Sequence, residues 1–347
     1  MTELMSLTFE ELQAFMKSLG LPAFRAKQIH EWLLRGEDFP GMTNLPEPMR
    51  TSLAAVAAAR SVEILSTVRS KIDDTEKLLY RLSDGNIIEG VVMRYRHGDT
   101  LCVSTQVGCR MGCAFCASTL GGLVRNLTPG EMLGQVISVD RMLRPEGRRV
   151  HNVVLMGSGE PLDNYDNVVK FLRLATDERG LNLSARGISL STCGLVPGIR
   201  RLADEGIPVT LSVSLHAPDD ETRKKLMPVA SAYSIDEILA ACRYYIEKTG
   251  RRVIFEYALA GGVNCEPRHA DQLARKLRGM QCHVNLIPLN HVAESDLLPP
   301  PAGAVEAFLA RLAEKHISAT RRREMGDDIE GACGQLRRRV MEEVKPS

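Results

Sequence analysis

Hydrophobic positions three and four residues apart predict three helices between residues 8 and 55. The first follows Thr8, which with Glu11 three positions later matches the pattern of a capping box. The second has one apolar face, formed by Ile29, Trp32 and Leu33. Its polar sides carry the basic residues Arg25, Lys27 and Arg35. We expect a small helical accessory domain over residues 1–60, whose basic side chains form either a solvated surface or a grip for nucleic-acid phosphates.

From residue 62 the hydrophobic period changes to the alternation that is typical of strands. Two alternating runs in KLLYRLSDGNIIEGVVMRY flank Asp84 and Gly85, a pair that favours a hairpin turn. A further strand, TLCVSTQ, leads into a cysteine-rich loop. We therefore expect residues 61–98 to form a β-hairpin linker.

Strands and helices alternate from residue 99 to residue 323, which predicts an α/β fold with parallel strands and crossover helices. The strands after the cysteine loop are expected at NVVLMG, GISLST, VTLSVSL, VIFEYAL, HVNLIP and ISATRRR. A barrel or partial barrel is favoured over an open doubly wound sheet, because no G-x-G-x-x-G motif opens the first helix. Residues 324–347 form a C-terminal segment beyond the last predicted strand.

Composition narrows the class of protein. The chain has 347 residues, 44% hydrophobic and 25% charged, and no apolar run of membrane-spanning length. Its N-terminus lacks the pattern of a signal peptide, so we expect a cytoplasmic protein with no membrane partner. Nine cysteines in that setting favour thiolate or metal chemistry over a disulfide scaffold. The net charge of +1 means that any affinity for nucleic acid comes from local patches.

Three cysteines, Cys109, Cys113 and Cys116, lie in the loop VGCRMGCAFCAST. Zinc motifs and iron–sulfur clusters normally use four protein ligands, so three cysteines predict an iron left open to another ligand. The spacing resembles the radical S-adenosylmethionine (SAM) superfamily, which implies a 4Fe–4S cluster whose fourth iron is chelated by SAM. A zinc loop or three incidental core cysteines are the alternatives.

Residues at predicted strand ends are the expected contacts of that cofactor, since barrels carry their chemistry at the carboxyl ends of strands. They are Gly159, Glu160, Ser191, Ser214, Leu215, His216 and Asn290. Each taken alone fits an ordinary loop residue equally well.

Two further cysteines have suggestive positions. Cys102 is in the strand before the cysteine loop, and Cys333 lies between the arginine triplets 321–323 and 337–339. Positive charge lowers the pKa of a thiol and attracts phosphate. If the barrel closes, its first and last elements are neighbours, which would bring the two cysteines together; two inert buried thiols are the alternative.

Five segments together resemble the RlmN-type adenine-C2 methyltransferases over nearly the whole chain. They are LCVSTQVGCRMGCAFCASTLGGLVRNLT, GSGEPLDN, LSVSLHAP, HVNLIPLN and GDDIEGACGQL. Ser158 departs from the family, in which methionine is common at that position. The resemblance implies a (β/α)6 partial barrel, RNA binding by the N-terminal domain, and two substrates, adenosine 2503 of 23S rRNA and adenosine 37 of tRNAs.

The resemblance also implies roles for three residues. Cys333 takes a methyl group from one SAM, and a second SAM gives a 5′-deoxyadenosyl radical that removes hydrogen from this S-methylcysteine. The carbon radical adds to C2 of adenine, Glu89 accepts the C2 proton, and Cys102 attacks the Cys333 sulfur to release the RNA and leave a disulfide. Flavodoxin or ferredoxin is the expected electron donor, and a monomer is expected. A Cfr-type C8 methyltransferase and a non-catalytic iron–sulfur RNA-binding protein are the competing hypotheses.

Overall fold

The N-terminal domain is helical, as its hydrophobic pattern predicts. The computed structural model describes residues 1–289, 295–323, 325–331 and 335, and the backbone of residues 339 and 340. The domain contains helices α1 (Phe9–Ser18), α2 (Phe24–Leu34) and α3 (Glu47–Val56), with two short parallel strands, β1 (Thr2–Glu3) and β2 (Ala57–Ala58). The predicted capping box of Thr8 and Glu11 is present.

The remaining strands are β3 (Val62–Arg69), β4 (Glu76–Leu82), β5 (Asn86–Tyr95), β6 (Gly98–Cys102), β7 (Gln106–Gly108), β8 (Leu123–Asn126), β9 (Val150–Leu155), β10 (Ile188–Thr192), β11 (Thr210–Ser214), β12 (Val253–Leu259), β13 (Cys282–Pro288), β14 (Ala319–Arg321) and β15 (Arg339–Val340). The remaining helices are α4 (Pro129–Leu143), α5 (Tyr165–Thr176), α6 (Val196–Asp204), α7 (Asp220–Leu226), α8 (Ile235–Thr249), α9 (Pro267–Leu277) and α10 (Ala304–Glu314). The capping boxes at Thr128 and Ser234 start α4 and α8.

One large sheet organises the molecule, in the order β14-β13-β12-β11-β10-β9-β6-β5-β4-β3. Strands β6 and β9 to β14 run parallel to one another, and β3, β4 and β5 continue the same sheet beyond β6 as an antiparallel meander. The predicted hairpin at Asp84 and Gly85 is the β4–β5 connection, and it extends the barrel sheet directly.

The first and last parallel strands of the barrel do not pair with each other, as expected of a partial barrel. In the described part of the chain β14 is an edge strand, and five strands separate it from β6. The chain returns by another route, because β15 pairs antiparallel with β5 at Asn86 and Ile87, next to β6. The barrel is therefore partial, and the C-terminal strand β15 returns the chain to β5, the neighbour of the first barrel strand.

The two faces of the sheet differ in polarity. One face packs against the outer helices in a continuous apolar core, in which Tyr257 contacts Phe308 of α10. The opposite, inner face is polar: the hydroxyl oxygens of Ser189 and Ser212 lie 3.1 Å apart, and Asn285 donates to Glu256 at 3.1 Å. Buried polar groups need partners, so this inner face is where ligand chemistry is expected.

Candidate active site

The cysteine loop is part of a hairpin that follows the end of β6. Strands β7 and β8 pair antiparallel, and the Cys109 backbone N–H donates to the Gly122 carbonyl at 3.1 Å. Gly108 has a φ of +75°, and a Cβ atom there would lie 1.9 Å from that carbonyl oxygen. The loop is also attached to the barrel, because the Ala114 N–H donates to the Leu226 carbonyl at the end of α7 at 2.9 Å.

The three cysteines of this loop line one open pocket of about 960 Å³ at the mouth of the barrel. Burial raises the pKa of the Cys109 thiol to about 12, and burial together with the neighbouring Cys116 and Cys109 raises that of Cys113. A metal that binds these thiols must displace their protons. Phe115 lines the same pocket and packs edge-on against His216, with ring centroids 4.8 Å apart.

The GSGEP turn lines the same pocket, and its glycines lie against the segment between β6 and the cysteine loop. A Cβ atom at Gly157 would lie 2.6 Å from Ser104 Oγ, and one at Gly159 would lie 2.7 Å from the Gln106 nitrogen. They therefore let this turn pack against the strand that enters the cysteine loop. Glu160 is buried, and its carboxylate accepts the backbone N–H groups of Leu162 at 3.0 Å and Cys193 at 2.7 Å.

The strand-end residues mostly converge on the pocket. Ser191, Ser214 and His216 line it, whereas the Leu215 side chain lies in the apolar core and its backbone N–H donates to the Glu256 carbonyl at 3.1 Å. Asn290 lies outside the described residues. His216 has a left-handed φ of +57°, and its Nδ1 accepts the Ala258 N–H at 2.9 Å, which keeps the ring neutral. Burial, with the charge of Arg223, lowers the pKa of His216 to about 3.

Two residues of this site escaped the sequence reasoning. Arg223 is fully buried on α7 and donates to the carbonyls of Cys193 at 2.6 Å and Leu215 at 3.2 Å, while its Nη1 has no hydrogen-bond partner. Glu256 is buried at the pocket wall, and its Oε2 accepts no hydrogen bond and lies 3.7 Å from Arg322 Nη1. Arg223 sits in a charged run that is typical of a solvated face, so no sequence signal marks it.

These features fit the implied cofactors. Three thiols on one loop are a donor set for an iron–sulfur cluster, and the buried Arg223 guanidinium beside that loop suits its negative charge. Glu256 Oε2, which accepts no hydrogen bond and lies 3.7 Å from Arg322, suits a hydroxyl or ammonium group of SAM.

The residues expected to handle the substrate lie beside this pocket, on β5 and β6. Val91 pairs with Cys102, and Glu89 is two residues from Val91, so all three side chains share one face of the sheet. Glu89 is fully buried, and its Oε2 lies 3.2 Å from Lys77 Nζ. Cys102 is buried in a small apolar cluster with Val91, Met93 and Met325.

Cys333 and the arginines at 337 and 338 lie outside the described residues, and only the backbone of Arg339 is described. Residues on both sides of Cys333 reach β5 and β6: Met325 packs near Cys102, and Arg339 pairs with Ile87. In the first triplet, Arg321 forms an ion pair with Glu306 at 3.0 Å, and Arg322 lines the cofactor pocket.

Known proteins match the chain over its full length. Residues 103–273 match the radical SAM superfamily, and residues 2–59 match the ribosomal RNA large subunit methyltransferase N-terminal domain. The probable dual-specificity RNA methyltransferase RlmN of Lachnospira eligens is 50% identical over 100% of this chain and 99% of its own. The protein of that name from Clostridium perfringens (strain 13 / Type A) is 53% identical over 97% of each chain.

The chain belongs to the RlmN family of radical SAM RNA methyltransferases. The crystal structure of a radical SAM methyltransferase from Sphaerobacter thermophilus superposes with a TM-score of 0.94 at 45% identity, covering 97% of this chain and 99% of that one. The predicted α/β radical SAM fold is thus confirmed, as are the 4Fe–4S cluster and SAM as cofactors of a transferase. None of the described helices is long and apolar enough to cross a bilayer.

Proposed function

We propose that this chain methylates C2 of adenosine 2503 in 23S rRNA and of adenosine 37 in tRNAs. The observation that carries the proposal is the placement of a buried carboxylate, Glu89, and a buried thiol, Cys102, on one face of adjoining strands beside the three-cysteine pocket. An RNA-binding iron–sulfur protein without catalytic activity has no use for that pair. The full-length similarity to proteins named dual-specificity RNA methyltransferases supports the same conclusion.

Adenine C2 lies between two ring nitrogens and is electron-poor, so it cannot attack a sulfonium methyl group directly. When bound, the cluster and SAM supply a radical that removes a hydrogen atom. In the proposal Cys333 carries the methyl group, Glu89 accepts the C2 proton, and Cys102 attacks the Cys333 sulfur to free the RNA. The Glu89 carboxylate is buried, and Lys77 places an opposite charge 3.2 Å from it.

The three loop cysteines hold the cluster in this proposal. The SAM contacts are Gly159, Glu160, Ser191, Ser214, Leu215, His216 and Asn290, and Leu215 acts through its backbone. The buried Glu160 carboxylate, with two N–H donors fixing its orientation, suits the methionyl ammonium of SAM. Flavodoxin or ferredoxin supplies the electron, and we expect a cytoplasmic monomer.

The experiment is anaerobic reconstitution with iron and sulfide, followed by reaction with 23S rRNA fragments and tRNA and mass spectrometry of the nucleosides. We expect 2-methyladenosine. If the product is 8-methyladenosine, the chain is a C8 methyltransferase. If RNA binds but contains no methylated adenosine, the non-catalytic RNA-binding hypothesis is favoured.

Two variants test the residue roles. Cys102→Ala is expected to trap a protein–RNA crosslink that survives denaturation, because nothing then attacks the Cys333 sulfur. Cys333→Ala is expected to give neither crosslink nor product. A Cys102→Ala protein that turns over at the wild-type rate removes the role assigned to Cys102.

A further inference from the structure

Lys77, on β4, is a buried cation that joins two parts of the molecule. Its Nζ lies 3.2 Å from Glu89 Oε2 and donates to the Glu330 carbonyl at 3.1 Å. The side chains of Lys77 and Glu89 are 5% and 0% exposed. Breaking a buried ion pair is costly, because a charge that loses an opposite charge stays out of water. Lys77 thus places an opposite charge in direct contact with the buried Glu89 carboxylate.

The contact with Glu330 belongs to a larger attachment of the C-terminal segment. We call residues 326–331 the tail turn; it precedes Cys333 in the chain. The Asp328 carboxylate accepts from Ser70 Oγ at 2.7 Å and from the Lys71 N–H at 2.8 Å. The Gly326 N–H donates to Asp73 at 3.1 Å. The β3–β4 loop thus forms hydrogen bonds with the tail turn at residues 326 and 328, and Lys77 forms one at Glu330.

We propose that Lys77 is a positioning residue for the second half of the reaction. The inference rests on the proposed role of Glu89 as proton acceptor. The Lys77 ammonium holds the Glu89 carboxylate in place and also binds the tail turn. The position of the proton acceptor is thereby coupled to the position of the C-terminal segment. In the step concerned, the C2–H proton passes to Glu89, the electron pair of that bond stays in the RNA adduct, and Lys77 exchanges no proton.

The alternative is a purely structural role, in which Lys77 only anchors the tail turn. Four variants separate the two. Lys77→Met removes the charge at similar length, and Lys77→Arg keeps it. Asp328→Ala removes two tail-turn contacts without touching Glu89, and Glu89→Gln is the reference for loss of the proton acceptor. Lys77→Gln replaces Lys77→Met if that protein does not fold, and the same outcomes apply.

The measurements use the reconstituted holoenzyme with its RNA. They are the fraction of Cys333 that carries a methyl group, the trapped protein–RNA adduct, and the methylated RNA released in a single turnover. Hydrogen exchange of residues 326–331 reports the seating of the tail turn. Methylation of Cys333 does not involve Glu89, so it is the internal control.

We expect Lys77→Met to methylate Cys333 as the wild type does, to accumulate adduct, and to release methylated RNA roughly tenfold to a hundredfold more slowly. This is less than the roughly 10²–10⁴-fold that a general base itself contributes, because Lys77 acts through Glu89. Lys77→Arg should restore release to within a few-fold. Asp328→Ala should raise hydrogen exchange in the tail turn and lower Cys333 methylation, with no excess of adduct.

Three results overturn the inference: wild-type release by Lys77→Met, failure of Lys77→Arg to restore release, or one pattern shared by Lys77→Met and Asp328→Ala. The reference variant keeps this separate from the proposed function. If Glu89→Gln accumulates adduct and Lys77→Met does not, only the role of Lys77 fails. If Glu89→Gln releases product normally, the proton-acceptor role of Glu89 fails, and the Lys77 inference falls with it.

Discussion

Gly108 sets the geometry of the cysteine loop, and its replacement by alanine gives a quantitative test. At the φ of +75° that Gly108 adopts, an L-residue costs roughly 1–2 kcal/mol. The added Cβ would also lie 1.9 Å from the Gly122 carbonyl oxygen, the acceptor of the Cys109 N–H. Moving that carbonyl away breaks the hydrogen bond, and an unsatisfied buried N–H costs roughly 1–3 kcal/mol. The expected total for Gly108→Ala is roughly 2–5 kcal/mol.

Gly122→Ala is the matched control. Gly122 has a φ of +62° in the same loop, and a Cβ atom there meets nothing within 4 Å. This variant has the conformational cost alone, so the two proteins should differ by roughly 1–3 kcal/mol. The assays are the free energy of unfolding of the apoprotein and the iron and sulfide content after anaerobic reconstitution. We expect Gly122→Ala to take up the cluster and Gly108→Ala to lose most of it. Equal stability and equal iron content in the two variants would refute the reasoning.

Three further predictions follow from the site. Serine at Cys109, Cys113 or Cys116 should abolish the iron–sulfur absorbance, whereas serine at Cys282, on β13, should leave it unchanged; tightly bound zinc in the native protein would contradict this. Burial and the charge of Arg223 lower the pKa of His216 from 6.5 to about 3 on folding. Below pH 6.5 the unfolded state therefore binds a proton that the folded state does not. The free energy of unfolding should fall as the pH falls from 6.5 toward 3, by at most ~1.4 kcal/mol per pH unit. His216→Asn should flatten that part of the curve of unfolding free energy against pH, and an unchanged slope would show that His216 is protonated when folded. Arg323 is exposed, whereas Arg321 is paired with Glu306. Arg323→Gln should therefore lower the salt dependence of RNA binding by roughly one phosphate contact. Arg311 is paired with Asp271, so the control Arg311→Gln should leave that salt dependence unchanged.

The sequence by itself determined the local elements and the grouping of three cysteines in one loop. Capping residues such as Thr8, Thr128 and Ser234 start the helices where the hydrophobic period predicts them, because a cap satisfies N–H groups within one turn of the chain. The three cysteines within eight residues, 109–116, are likewise a local signal, since one loop delivers all three thiols to one pocket. The alternation of strands and helices along the chain predicted the α/β class, because each period is also read within one short segment.

Only the tertiary structure decided how distant residues meet. Lys77 lies at an alternating strand position whose exposure the pattern leaves open, and it is buried because Glu89 and the tail turn cover it. Arg223 reads as part of a charged helical surface, yet the packing of α7 against the cysteine loop and β11 removes it from water. The strand pairing at the end of the chain is also non-local. Strand β15 pairs with β5, whereas β14 does not pair with β6. Burial and pairing across long separations depend on which surfaces exclude water together, and that is a property of the assembled sheet rather than of any single segment.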